Sequence, residues 1–91
     1  MVPPRRQEPR RLVLVVSAYI LLNTEVGKAR SVAQECAGIE GVLKADATSG
    51  PYDVVVLAQA RSVDELGKFV VAEVRLVDGI TRTLTCPLLQ V

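Results

Sequence analysis

Ile39-Glu40-Gly41-Val42 and Val77-Asp78-Gly79-Ile80 carry one pattern, apolar, acid, glycine, apolar, met once in each half of the chain. A second pair precedes them in the same order, Glu25-Val26-Gly27-Lys28-Ala29 and Glu65-Leu66-Gly67-Lys68-Phe69. Ahead of each half's helix-like segment stands an apolar run, Leu12 to Leu22 and Val54 to Ala60, and behind it another strand-like stretch. The unit is therefore βαβ, present twice.

Working outward, the first helix is expected over Glu25 to Ala37, with Thr24 as N-cap, Val26, Ala29, Ala33 and Cys36 on its apolar face, and Gly38 as its stop. The second is expected to start at Ser62, which has capping-box spacing to Glu65, and to carry Val63, Leu66, Val70, Val74 and Val77 inward, with Gly79 at its exit. Gly27 and Gly67 each fall in a first helical turn, where glycine weakens a helix by about 1 kcal/mol. Close packing against a strand is the expected reason for both.

Two right-handed βαβ crossovers in one chain put both helices on the same face of an antiparallel sheet. The expected fold is thus α+β, a ferredoxin-like βαββαβ arrangement. In the third strand Val54, Val56, Ala58 and Ala60 alternate with Val55, Leu57 and Gln59, so the face away from the helices is apolar as well. That face calls for a partner, and dimerisation through the sheet is expected. With 91 residues, one core at most can form, and with aromatics reduced to Tyr19, Tyr52 and Phe69 it must be built from small aliphatic side chains. Small folds of this kind usually add disulfides, a metal or oligomerisation. The chain has no histidine, and Cys36 and Cys86 lie far apart without metal-ligand spacing, so no metal and no cofactor is expected and oligomerisation remains.

Residues 1–11, with three prolines and four arginines, are expected to form a disordered basic tail, leaving 12–91 as the folded domain. Arg5, Arg6, Arg10 and Arg11 before the run Leu12 to Leu22 imitate a signal peptide. The run is β-branched, is broken by Ser17, has no small-x-small cleavage site and is too short to span a bilayer, so a cytoplasmic protein with reduced thiols is expected. A net charge of +1 names no partner, membrane or nucleic acid, and four arginines without a folded platform supply only salt-sensitive attraction.

Candidates for chemistry are few. Cys36 and Cys86 read as small buried hydrophobes, and Asp53 has no evident catalytic partner, so no catalytic residue is assigned and the chain is not expected to be an enzyme. Ser49-Gly50-Pro51-Tyr52-Asp53 is a cluster of turn formers that includes a phenol and a carboxylate. There Gly50 would leave backbone amides open to a ligand carboxylate while Asp53 accepts from an ammonium group, a pairing that suits an amino acid. The plainer reading is a hairpin turn whose aspartate bonds nearby amides. Thr81, Thr83 and Thr85 alternate on the last strand beside Arg82, either as ordinary strand formers or as ligand contacts at a subunit boundary.

From Val15 to Val91 the chain resembles the effector-binding domain of the Lrp/AsnC regulators, on the strength of Ser49-Gly50-Pro51-Tyr52-Asp53, Glu65-Leu66 and Gly79-Ile80-Thr81-Arg82-Thr83-Leu84-Thr85. The resemblance implies a βαββαβ fold, homodimers joined through their sheets and, in many members, rings of four dimers with amino-acid effectors between them. Tetramers and octamers both stay open. It also implies ligand contacts from the turn and the last strand, which here are Gly50, Pro51, Tyr52, Asp53, Arg82, Thr83 and Thr85. Regulators of this family carry an N-terminal helix-turn-helix, whereas only eleven residues precede the first expected strand, so no direct sequence-specific DNA binding is expected. The leading expectation is an amino-acid-binding, oligomerising module that acts with a full-length regulator. The alternatives are a structural dimerisation and partner-recruitment module without a small ligand, and a diene- or quinone-handling enzyme resting on Asp53, Tyr52 or Arg82.

Overall fold

A computed structural model describes residues 15–89. The expected tail and residues 12–14 of the expected first strand lie outside the described residues. The chain runs β1 (Val16–Thr24), α1 (Ala29–Ala37), β2 (Val42–Ala47) and β3 (Val54–Ala60), then a second helix and β4 (Ile80–Pro87). The second helix consists of α2 (Val63–Glu65), a π-helical stretch (Leu66–Val71) and α3 (Ala72–Arg75). The strands form one antiparallel sheet in the order β2-β3-β1-β4, the expected ferredoxin-like arrangement.

The core lies between the sheet and the two helices. Ala18, Ile20 and Leu22 of β1 and Val54, Val56 and Ala58 of β3 meet Val32, Ala33 and Cys36 of α1 and Leu66, Val70 and Val74 of the second helix. Every one is aliphatic or a thiol, and among the described residues no polar or charged side chain is buried. The opposite face of the sheet is apolar too: Leu21, Val55 and Leu57 are half-buried there, with Tyr19 and Leu84 exposed beside them. Cys86 stands opposite Tyr19 in the β1–β4 ladder and so belongs to this open face rather than to the core, unlike Cys36.

The second helix begins as its sequence predicts, with the Ser62 hydroxyl accepting from the Glu65 amide at 3.1 Å. The first does not. Its cap is Lys28, four residues later than expected, because the chain spends Thr24 to Gly27 turning out of the strand. The Thr24 amide donates to the Asp53 carboxylate, the Glu25 amide donates to the Gly79 carbonyl at 2.8 Å, and Gly27 adopts φ +81°, outside any right-handed helix. Val26 is consequently fully exposed instead of lying on an apolar helix face, and Val63 is exposed as well. The two Glu-x-Gly-Lys segments therefore occupy different structural places, one a loop and the other a helix. Neither Gly27 nor Gly67 is tightly packed, since a Cβ on either would meet no atom within 4 Å, which corrects the expectation of close packing at both.

The close approaches belong to the other repeated pair. Gly41 has φ +96°, and a Cβ there would stand 2.6 Å from Cγ2 of Val70. Gly79 has φ +100°, and its Cβ would stand 3.2 Å from the Cβ of Lys28. Each glycine thus lies against the helix of the other half. Each carbonyl also accepts an amide from that half's partner, Gly41 from Gln59 and Gly79 from Glu25, both at 2.8 Å. The matched four-residue patterns are structurally equivalent in a way that the Glu-x-Gly-Lys pair is not.

Candidate functional site

The turn between β2 and β3 is organised by a residue that sequence reading passed over. The Thr48 amide donates to the Asp53 carbonyl at 2.9 Å, its hydroxyl donates to the Tyr52 carbonyl, and the same hydroxyl oxygen accepts the Gly50 amide at 3.2 Å. The Gly50 amide is therefore occupied from within the turn rather than left open for a ligand. Asn23 fastens the turn to β1 by donating its side-chain amide to the Pro51 carbonyl at 3.1 Å. Thr48 could have been found as a hydroxyl residue leading a turn, the usual position for side-chain bonding to nearby backbone.

Asp53 closes the turn onto the end of β1. Its own amide donates to the Leu22 carbonyl at 2.8 Å, and its Oδ2 accepts from the Thr24 amide at 2.8 Å. The plainer sequence reading, an aspartate that bonds backbone amides, is thus half right, although the amide lies 29 residues away instead of nearby. Among the described residues nothing donates to Oδ1. That oxygen belongs to a carboxylate bordering a groove of about 600 Å³, whose other walls are Thr24, Glu25, Val26, Gly27, Ala29 and Arg30. The groove brings together two carboxylates, a guanidinium and the first residues of α1, where amide groups have no partner within the helix. Such a set can take an ammonium group at the acids and a carboxylate at Arg30.

Of the seven residues expected to bind ligand, Asp53 alone lines this groove. Gly50 and Pro51 are exposed on the turn, and Tyr52 is half-buried there. On β4, Thr83 stands opposite Leu22 and Thr85 opposite Ile20, so both face the helix side of the sheet at its edge. Arg82 stands opposite Asn23 and takes the other side. A register shift between Asn23 and Thr24 moves Thr81 out of the alternation, so the three threonines do not form one continuous row as expected. Glu25, Val26, Gly27 and Arg30 were missed because the sequence placed them in a helix, whereas they form the groove wall as a loop and first turn.

The fold makes this chain a ferredoxin-like α+β domain with a groove at the end of β1 that Glu25, Arg30 and Asp53 help to line. The sequence pattern of the Lrp/AsnC ligand binding domain matches residues 17–91, and the chain belongs to that family. The family is one of ligand-binding domains of transcriptional regulators, not of enzymes. An uncharacterised HTH-type transcriptional regulator of Pyrococcus furiosus is 27% identical over 79 residues, covering 84% of this chain and 53% of that protein. The chain spans about half the length of the curated relatives it matches. Among solved structures, a hypothetical protein of Pyrococcus horikoshii is 28% identical with a TM-score of 0.75, over 82% of this chain and 90% of that one. A Neisseria meningitidis transcriptional regulator in complex with L-Met shares the fold at a TM-score of 0.72 and 20% identity, over 94% of this chain and 60% of that one. Among the described residues no helix is long and apolar enough to cross a membrane.

Proposed function

We propose that this domain binds a free amino acid at the Asp53 groove and couples its occupancy to assembly, acting in the cytoplasm on amino-acid-responsive transcription together with a full-length regulator of its family. The observation that carries this reading is the Asp53 carboxylate. One of its oxygens is anchored on the Thr24 amide, and the residue lines a groove that Glu25 and Arg30 also line. An α-ammonium group at Asp53 and Glu25 and an α-carboxylate at Arg30 use both charges of the ligand. Arg82, Thr83 and Thr85 lie off this groove within one protomer, so their part in binding needs a second copy that brings β4 to the ligand. The Neisseria regulator bound to L-Met supports an amino acid as the ligand class. A ligand that completes its pocket from two copies favours the assembly that contains the whole pocket.

The test is thermal unfolding against a panel of free amino acids that includes methionine, with particle size followed by light scattering. At about 100 times its dissociation constant a ligand adds about 2.7 kcal/mol per site, enough to raise the midpoint by several degrees. The expected result is a shift confined to one or two amino acids, accompanied by a change of size. Asp53→Asn keeps an oxygen for the Thr24 amide while removing the charge, and is expected to abolish the shift with the fold intact. Asp53→Ala also removes the anchor and is expected to cost a further 1 kcal/mol or so of stability. A stable dimer that no amino acid shifts would favour the second reading, a dimerisation and partner-recruitment module, which the apolar open face of the sheet supports by itself.

A further inference from the structure

β2 is an outer strand of the sheet, so one row of its main-chain groups has no strand beyond it among the described residues. Which residues make up that row follows from the hydrogen bonding at the strand's end. The Thr48 amide donates inward to the Asp53 carbonyl, and the direction alternates along an antiparallel ladder, so Asp46 and Lys44 bond toward β3 as well. Leu43, Ala45 and Ala47 therefore direct their amides and carbonyls outward. The other outer strand is less open to pairing, because β4 ends on Pro87, which has no amide hydrogen to donate.

The side chains of β2 divide the same way. Ala45 and Ala47 stand opposite the buried Val56 and Val54 and take the helix side, whereas Lys44 and Asp46 stand opposite Leu57 and Val55 on the open face. Lys44 Nζ lies 3.6 Å from Asp46 Oδ2, and both side chains are exposed. Charges on an outer strand usually discourage pairing. Here they have opposite sign and flank Ala45 at equal spacing, so an antiparallel second copy centred on Ala45 brings each lysine opposite an aspartate. The other registers lack this match. Centring on Leu43 sets Asp46 against Glu40 of the second copy, centring on Ala47 runs Lys44 against Gly50 in the turn, and a parallel pairing sets like charges side by side.

The geometry points to β2 as an interface for a second copy of this chain, paired antiparallel about Ala45. Leu43, Ala45 and Ala47 exchange main-chain hydrogen bonds with Ala47, Ala45 and Leu43 of the second copy. Lys44 and Asp46 fall at the positions without main-chain bonds, where facing Cα atoms approach to about 4.5 Å. The four charges then form a ring of alternating sign, a network rather than an isolated surface pair. On the helix side the exposed Leu43 meets the small Ala47 of the second copy. Thr48 falls opposite Val42 of the second copy, so each β2–β3 turn comes to the mouth of a groove of about 750 Å³ that Gly41, Val42 and Leu43 of the other copy help to line. The edge is separate from the open sheet face, and one chain can use both.

Lys44→Asp and Asp46→Lys, made separately in the full chain, test the register, with particle mass followed by light scattering over a dilution series. Each alone sets like charges opposite one another and is expected to raise the dissociation midpoint about 10- to 100-fold, the product having half the parent mass. Mixed in equal amounts, the two variants place opposite charges across the edge and are expected to recover the parent mass as a heteromer. The double variant is complementary to itself again and is expected to match the parent. A monomeric parent, single variants that keep the parent midpoint, or a mixture that stays at half mass would each overturn the proposal. Circular dichroism of the same samples monitors the fold. Their response to amino acids reads the Asp53 groove separately, so either idea can fail alone.

Discussion

Cys36 sits with no exposed surface on the inner side of α1, and burial, with Glu35 adding repulsion, pushes its thiol up from 9.0 to about 11. In the unfolded chain the thiol ionises near 9, whereas in the folded chain it keeps its proton to about 11. Below pH 9 both states are protonated and the contribution to stability is complete. Above it the unfolded state sheds a proton that the folded state retains, so stability falls across the window up to about 11. Denaturant titrations at pH steps from 8 upward are expected to show that fall and, in Cys36→Ala, a shallower one from a lower starting stability, since other groups titrate there too. At the same scale Asp53 shows what a sequence conceals. Its place in a cluster of turn formers was legible, but its partner amide lies on another strand, and spacing along the chain carries no trace of it.

Among the elements, the second helix was readable because its cap is local: Ser62 and Glu65 lie three residues apart and bond directly. The start of α1 was not, because its position is decided by contacts of Thr24 with Asp53 in the β2–β3 turn and of Glu25 with Gly79 near the end of the chain's second half. The π-helical stretch left no signature either. Leu66, Val70 and Val74, spaced by four, suit an ordinary helix equally well, so the periodicity located the buried face without revealing the wider turn. The glycines separate these cases by experiment. Gly41→Ala combines a positive φ with a 2.6 Å clash and is expected to cost about 2–4 kcal/mol. Gly67→Ala meets open space in a right-handed helix and is expected to stabilise by about 0.5–1 kcal/mol. Urea midpoints of the two variants moving in opposite directions would bear this out, and parallel movement would refute it.

For the molecule as a whole the question is what covers the open sheet face. An inner layer of twelve mostly small buried residues on one side and Tyr19, Leu57 and Leu84 on the other make a domain whose second face is too apolar to stand in water economically. Leu57→Lys places a charge at the middle of that face opposite Tyr19 and across from Lys44, so in a sheet-to-sheet dimer it would bury an unpaired cation. Light scattering is expected to give half the parent mass for this variant with an unchanged circular dichroism spectrum; an unchanged mass would assign the assembly to another surface. The sheet order has one more consequence. All three ladders, β1 with β3, β1 with β4 and β2 with β3, join the first βαβ unit to the second, and neither unit contains a hydrogen-bonded strand pair of its own. A nascent chain that has emerged only as far as Thr48 therefore has no sheet to form, however long it waits at the ribosome. The same interleaving makes the β2–β3 turn a natural place to split the molecule into two fragments, neither of which holds a strand pair of the native sheet until the other is present.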